Sequence, residues 1–144
     1  MTRPTLEAGV ELPPVSRVVT REDMVLFEPE GEKNIHTDDE VARAAGLPAA
    51  IAAGVQFMSY IFEMLQREYG FRSIEGTILD VRIREPVFAG DTVTARGRVT
   101  EVHADGSGGS RLTLEVWCEN QRGGHVIAGT AQVPVRGGPA EGAT

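Results

Sequence analysis

The stretch Asn34-Ile-His36-Thr-Asp-Asp-Glu40, with the apolar run from Ile51 to Glu68 that follows it, decides the fold of this chain. From Ile51 onwards almost every residue is apolar or small. The strongly polar exceptions as far as Leu65 are Gln56, Ser59 and Glu63. Steps of three and four residues place these side chains on one narrow stripe of a helix. The pattern therefore predicts a largely enclosed central helix from Ile51 to Glu68, ending near Gly70.

The start of this central helix is a candidate functional position. The segment Pro48-Ala-Ala-Ile51-Ala-Ala-Gly54 leads into it, and the first N–H groups of a helix have no partner within the helix. At the positive end of the helix dipole such groups can polarise a carbonyl. His36 lies just upstream and is a candidate for acid–base chemistry at that spot.

The composition indicates a single domain over residues 1–144, with an extended arm at 1–12 and a frayed tail at 137–144. A chain of 144 residues with 41% hydrophobic content can bury a sizeable core. The formal charge of −7 argues against nucleic acid as a partner, because phosphate binding needs clustered positive charge. The sequence has one cysteine, no signal peptide and no apolar run of the roughly 20 residues that span a bilayer. We therefore expect a cytoplasmic protein without a membrane partner.

Helical signals precede the central helix and alternating patterns follow it. A strand is predicted at 16–19, a short helix capped by Thr20, a charged loop at 28–33, and a second helix that Thr37 caps and Gly46 ends. Four strands are predicted after Gly70: Ser73–Val87, Asp91–Ala104, Ser110–Gln121 and His125–Arg136. The apolar face of the third of these consists of Leu112, Leu114, Val116 and Cys118.

Short turns between these strands predict that consecutive strands are antiparallel neighbours. A long antiparallel sheet with one apolar face can bury that face by curling around the central helix, which gives an α+β fold. Gly76, Gly97 and Gly129 lie inside the predicted strands, where glycine is typical of a bend or of the close approach of another backbone. Unprotected edge strands favour dimerisation.

Over roughly residues 13–136 the chain resembles the MaoC-like hydratases and dehydratases of the hotdog fold. Asn34-Ile-His36-Thr-Asp38, continued to Pro48, is similar to the family's N-P-[I/L]-H-x-D segment. Ile51-Ala-Ala-Gly54 is similar to its I-A-H-G segment, and Arg84-Glu-Pro-Val-Phe-Ala-Gly-Asp91 to its P-V-x-x-G-D segment. The resemblance implies a curved antiparallel sheet wrapped around one long central helix.

For function, the resemblance implies a lyase of fatty acid metabolism that adds water across the 2,3 bond of an acyl thioester, or removes it, without a cofactor or metal. The acyl carrier is coenzyme A or a carrier protein. In that family an aspartate and a histidine hold the water, and a glycine N–H polarises the thioester carbonyl. Glu32, His36 and Gly54 match these catalytic positions. The implied substrate-binding positions are Asn34, Ile51, Ala53 and Val55.

The motif also departs from the family pattern. Gly31-Glu32-Lys33-Asn34-Ile35-His36 lacks the proline of G-D-x-N-P-x-H, is one residue shorter and carries glutamate for aspartate, while Ala53 replaces a histidine. A second hypothesis therefore stays open: a non-catalytic hotdog subunit that pairs with a catalytic sister chain and shapes the acyl tunnel. A thioesterase with Glu63 as its acid is a third. We expect a homodimer, or a heterodimer with a sister hotdog chain.

Other chemically capable residues have structural interpretations beside the functional ones. Four arginines lie at alternate positions of two strands that are expected to pair, and so on one face of the sheet. They form either a solvated face or a basic patch for coenzyme A phosphates. They are Arg82, Arg84, Arg96 and Arg98. Asp38 and Asp39 stabilise a helix dipole in its first turn. His103 and His125 do not show metal-site spacing, and Cys118 is expected to be an inert core residue.

Overall fold

The computed structural model describes residues 5–136, so residues 1–4 of the predicted arm and the predicted tail lie outside the described part of the chain. The helices are α1 (Arg21–Leu26), α2 (Asp39–Ala44) and α3 (Gly54–Tyr69), followed by a 3₁₀ turn (Phe71–Ile74). The strands are β1 (Val15–Val18), β2 (Ile78–Ile83), β3 (Thr92–Ala104), β4 (Ser110–Glu119) and β5 (His125–Val135). Within residues 5–136, none of the helices has the length and apolar character to cross a membrane.

The five strands form one antiparallel sheet in the order β1-β3-β4-β5-β2. One face of the sheet packs on α3, and the predicted apolar face of β4 is fully buried there. The helix contributes Phe57, Ile61, Met64 and Leu65 to the same core. This is the α+β hotdog architecture, so the predicted fold class is confirmed.

The central helix α3 begins at Gly54, three residues later than the predicted start at Ile51. The backbone N–H of Ile51 donates to the carbonyl of Ile35 at 3.0 Å, and that of Ala52 donates to the carbonyl of Val87 at 2.8 Å. Because these donors are bonded to distant segments, the residues before Gly54 are extended instead of helical.

The two short helices were predicted well, but one cap was assigned to the wrong residue. The N–H of Asp23 donates to the Thr20 hydroxyl at 3.1 Å, as expected of a cap. In α2 the cap is Asp38, whose Oδ1 accepts from the N–H of Val41 at 2.9 Å. The predicted cap Thr37 does not cap the helix, because its hydroxyl donates to the carbonyl of Glu32 in the preceding loop at 2.9 Å.

The predicted strand Ser73–Val87 is too long, and its predicted pairing with the next strand is wrong. Only Ile78–Ile83 is β structure, and this strand, β2, pairs with β5 at the sheet edge. The connection after it leads back to β3, which is separated from β2 by the two strands β5 and β4. The four arginines therefore do not form one patch. Arg96 instead forms a salt bridge with Glu119 on the neighbouring strand β4. Arg98 forms another with Glu115 on the same strand, where its Nη2 lies 2.9 Å from Oε2.

Asp39 links α2 to the segment that leads into α3, and it supports a prediction about stability. Its Oδ2 accepts from Arg21 Nη2 at 2.6 Å and its Oδ1 from the N–H of Ala50 at 2.9 Å. The hydrogen bond from Arg21, and then that from Ala50, lowers the pKa of Asp39. A carboxyl whose pKa is lower in the folded than in the unfolded state stabilises the fold above the unfolded-state pKa of about 3.9. This contribution is lost as the pH falls through the folded-state pKa.

We therefore expect Asp39→Ala to lower the melting temperature at pH 7, and the difference from wild type to narrow as the pH falls from about 5 to about 3. Thermal unfolding across that range tests this, with Glu40→Ala as the control, since the neighbouring Glu40 is exposed. A difference that stays constant with pH would show that the carboxylate charge of Asp39 has no part in it.

Candidate active site

The first turn of α3 presents unpaired backbone donors. Its N-cap is Ala53, which has no side chain that could accept a hydrogen bond. The N–H of Gln56 donates to the carbonyl of Ala53 at 3.0 Å, whereas those of Gly54 and Val55 have no acceptor within residues 5–136. Two free N–H groups therefore lie at the positive end of a helix of 16 residues. They can hydrogen-bond a carbonyl oxygen on which negative charge develops.

Gly54 also allows the end of β2 to lie against the start of the helix. A Cβ atom at this position would be 2.5 Å from Cδ1 of Ile83, so a larger residue would displace that side chain. Ile83 is the last residue of β2 and is 63% exposed. Its side chain thus forms a wall beside the Gly54 donor that is open to solvent on its other side.

His36 lies in a tight turn that its own neighbours hold. Its backbone N–H donates to Oδ1 of Asn34 at 2.8 Å. The carbonyl of Asn34 accepts from the N–H groups of Thr37 and Asp38 at 3.1 and 3.0 Å. The Asn34 N–H donates to the Thr37 hydroxyl at 3.1 Å. Asn34 is therefore the residue around which the turn closes.

The imidazole of His36 is oriented by the segment that leads into α3. Its Nδ1 lies 2.8 Å from the carbonyl oxygen of Ile51. Because a carbonyl only accepts, Nδ1 carries the proton, and Nε2 of the neutral ring keeps a free lone pair. Nε2 has no partner within the described residues. The Ile51 N–H donates to the Ile35 carbonyl at 3.0 Å, so two hydrogen bonds tie the His36 turn to the start of the helix.

The structure thus brings together the three segments that carry the resemblance. The His36 turn bonds Ile51, and the N–H of Ala52 bonds the carbonyl of the buried Val87 at 2.8 Å. Ala53 is buried beside them, while Val55 in the first turn of α3 is 52% exposed. A polarising helix start and an oriented imidazole therefore share one fixed backbone framework.

Glu32 is in a less defined position than His36. Its backbone is fixed, since its carbonyl accepts from the Thr37 hydroxyl at 2.9 Å. Its side chain is exposed, and the carboxylate has no hydrogen-bond partner within residues 5–136. The catalytic role of Glu32 stays a prediction.

Glu28 belongs to the site although the sequence did not indicate it. This half-buried residue accepts at Oε1 from Nδ2 of Asn34 at 3.0 Å. In the sequence it belongs to the charged loop at 28–33, where the resemblance points to Glu32 and nothing distinguishes Glu28 from Glu30. The contact spans six residues of irregular backbone, so neither helical nor strand periodicity could indicate it.

The remaining candidates have structural roles. Glu63, the acid of the thioesterase hypothesis, forms salt bridges with Arg17 at 2.5 Å and Arg67 at 2.6 Å. The ring of His125 stacks on that of Trp117 at 5.8 Å. Cys118 lies in the core, as predicted, where burial raises the pKa of its thiol to about 12. Residues 5–136 contain no group of three or more His, Cys, Asp or Glu that could hold a metal ion.

Comparison with known proteins gives relatives of the same architecture. Residues 6–116 match the family model of the MaoC-like domain, which is named for dehydratases. Comparison with curated protein sequences gives no match. A monoamine oxidase regulatory protein from Archaeoglobus fulgidus is 25% identical with a TM-score of 0.78, and the alignment covers 96% of this chain and 98% of the other.

Two further solved structures show the same fold at lower identity. The (R)-hydratase PhaJ1 from Pseudomonas aeruginosa is 22% identical with a TM-score of 0.75, covering 92% of this chain and 84% of its own. The ChsH1–ChsH2 complex from Mycobacterium tuberculosis gives 20% identity and a TM-score of 0.74, covering 92% of this chain and 100% of the other.

A sheet curled around one helix, with a histidine turn bonded to the start of that helix, defines a hotdog protein with a candidate site at the helix N-terminus. Within that class the chain belongs to the MaoC-like domain family, because the family model matches most of its length.

Proposed function

We propose that the protein is a hydratase or dehydratase that adds water across the 2,3 bond of an acyl thioester, or removes it, with coenzyme A or a carrier protein as the acyl carrier. One observation supports this above the others. An imidazole whose Nε2 is free is held by one hydrogen bond, and its turn by a second, against a helix start with free N–H groups. A general base beside a donor for a developing oxyanion is what the conjugate addition of water requires.

In the proposed hydration, Nε2 of His36 and the carboxylate of Glu32 bind one water molecule. The water oxygen attacks C3 of the 2-enoyl thioester as its proton moves to this pair. The electrons of the double bond move onto the thioester oxygen, where the Gly54 N–H stabilises the enolate. Return of a proton to C2 gives the 3-hydroxyacyl thioester, and the reverse sequence is the dehydration. Ile51, Ala53 and Val55 contact the substrate beside the oxyanion donor.

We further propose that the active form is a homodimer built on the β2 edge. This strand bonds only β5 among the described strands, and an open edge is a template for pairing with another chain. Large apolar side chains are exposed along it, with Ile78 at 55% and Ile83 at 63%. A second copy on this edge would cover them next to Gly54. Mass measurement in solution tests the dimer, and a monomer would exclude it.

A second candidate function is that of a non-catalytic hotdog subunit paired with a catalytic sister chain. The exposure of Glu32, whose carboxylate has no partner within residues 5–136, favours this alternative. An acid that does not contact His36 leaves the water-holding pair incomplete in the isolated chain.

The first experiment is hydration of a short trans-2-enoyl-CoA by the purified protein, followed by the loss of the enoyl thioester absorbance. We expect wild-type turnover, a strong loss in Glu32→Gln and no change in Glu30→Gln, the matched control in the same exposed loop. Turnover that is unaffected by Glu32→Gln would exclude Glu32 as the catalytic carboxylate. A well-folded protein without activity on short or long chains would favour the partner-subunit function.

A further inference from the structure

We infer that Glu28 is a positioning residue of the site: its carboxylate fixes the side chain of Asn34, and Asn34 fixes the turn that presents His36. The kinetic consequence of this inference rests on the proposed function. Glu28 makes no hydrogen bond with the imidazole of His36 within residues 5–136. Its effect on the imidazole is therefore transmitted through Asn34.

The orientation of the Asn34 amide is fixed by its two hydrogen-bond partners. Its Nδ2 lies 3.0 Å from Oε1 of Glu28, and its Oδ1 lies 2.8 Å from the backbone nitrogen of His36. A carboxylate only accepts and a backbone N–H only donates, so the two partners assign the two ends of the amide without ambiguity. Rotation of the amide by half a turn would break both hydrogen bonds at once.

The turn that presents His36 has no covalent restraint. Asn34 and Ile35 are not prolines, so no ring fixes their φ angles. The hydrogen bonds of Asn34 must therefore hold the turn, and hydrogen bonds to a charged acceptor are stronger than neutral ones. Glu28 supplies that charged acceptor.

Glu28 contrasts with the other charged residues of its loop. Glu28 is half-buried and bonded, whereas Glu30, Glu32 and Lys33 are exposed and their side chains make no hydrogen bond within residues 5–136. Among the charged side chains of the loop, Glu28 is therefore the one that restrains the site. Loss of that restraint would let the Asn34 amide rotate and the imidazole of His36 move away from Ile51.

Two substitutions separate the hydrogen bond of Glu28 from its charge. In Glu28→Gln the side-chain Oε1 still accepts from Asn34, whereas Glu28→Ala leaves no acceptor. We expect Glu28→Ala to lower kcat for enoyl-CoA hydration by on the order of 10- to 100-fold, with a smaller change in KM, because displacement of a catalytic group by 1 Å costs about 100-fold. Glu28→Gln is expected to stay within about threefold of wild type, because glutamine keeps the hydrogen bond to Asn34. That bond is then neutral and weaker than the charged one. Glu30→Ala is the matched control.

A second readout does not need activity. The ¹⁵N shifts of the His36 ring report which nitrogen carries the proton, and we expect the Nδ1–H form in wild type and Glu28→Gln. Glu28→Ala should show a mixture of both tautomers, because the imidazole is then no longer held against Ile51. In a double-mutant cycle, Glu28→Ala should add little to the effect of Asn34→Ala, since the two residues act through one contact.

Each outcome bears on the inference. A wild-type kcat and tautomer in folded Glu28→Ala would overturn it. A loss in Glu28→Gln as large as that in Glu28→Ala would show that the charge acts directly, and would also overturn the positioning role. If wild type hydrates no thioester, the proposed function fails, but the tautomer of His36 still tests Glu28.

Discussion

Replacing His36 by asparagine is expected to reduce kcat for enoyl-CoA hydration by about 10²- to 10⁴-fold, the range that one general base contributes. Asparagine is chosen because its Nδ2 can donate to the carbonyl of Ile51, as Nδ1 of the imidazole does at 2.8 Å. The bond between the turn and the start of α3 is then kept, and the base at Nε2 is lost. Steady-state kinetics with a short trans-2-enoyl-CoA measure the effect.

His125→Asn is the matched control for this substitution. His125 is exposed and stacks on Trp117, and it makes no contact with the His36 turn, so its replacement should leave kcat unchanged. Thermal unfolding of both variants separates a loss of chemistry from a loss of fold. If folded His36→Asn retains activity within about tenfold of wild type, less than a general base contributes, the base is another residue.

The sequence predicted the elements whose residues alternate between core and solvent. The apolar residues of β4 and of α3 repeat with periods of 2 and 3.6, because each faces the same core, and all the predicted core positions of β4 are buried. The segment Arg84–Asp91 has no such constraint. It connects β2 at one edge to β3, with β5 and β4 between them, and its β-like composition extended the predicted strand wrongly as far as Val87.

Within the candidate site, His36 and Gly54 could be proposed from the sequence because they belong to recognisable short motifs. The start of α3 could not be located to the residue, because hydrogen bonds from Ile51 and Ala52 to Ile35 and Val87 decide where the helix begins. Those contacts join residues 16 and 35 positions apart, which no local pattern records. The same limit applies to Glu28, whose partner Asn34 lies across an irregular loop.

The close packing of β2 against β5 leaves no room for a side chain at Gly129. Adding one methyl group there is expected to have a large effect on stability. Gly129 on β5 faces Val81 on β2 in the sheet. A Cβ atom on Gly129 would lie 2.0 Å from the carbonyl oxygen of Asp80 and 2.7 Å from Cα of Val81. Both are backbone atoms of the paired strand, so no side-chain rotation can relieve the clash, and β2 as a whole would have to move.

We therefore expect Gly129→Ala to lower the free energy of unfolding by about 3 kcal/mol, the upper part of the range for overpacking. Gly97→Ala is the control, because its Cβ would meet the end of the flexible Met64 side chain at 2.9 Å, and we expect a loss of about 1 kcal/mol. Urea unfolding of both variants gives the comparison. Equal losses would contradict the close backbone approach of β2.

The effect of Gly129→Ala should extend to the site, because β2 carries Ile83, whose side chain lies against Gly54. An outward shift of β2 moves this wall away from the Gly54 N–H, the proposed oxyanion donor. We therefore expect the folded fraction of Gly129→Ala to bind and hydrate the thioester less well than the folded fraction of Gly97→Ala. Equal kcat/KM per folded molecule would show that β2 stabilises the fold without shaping the site.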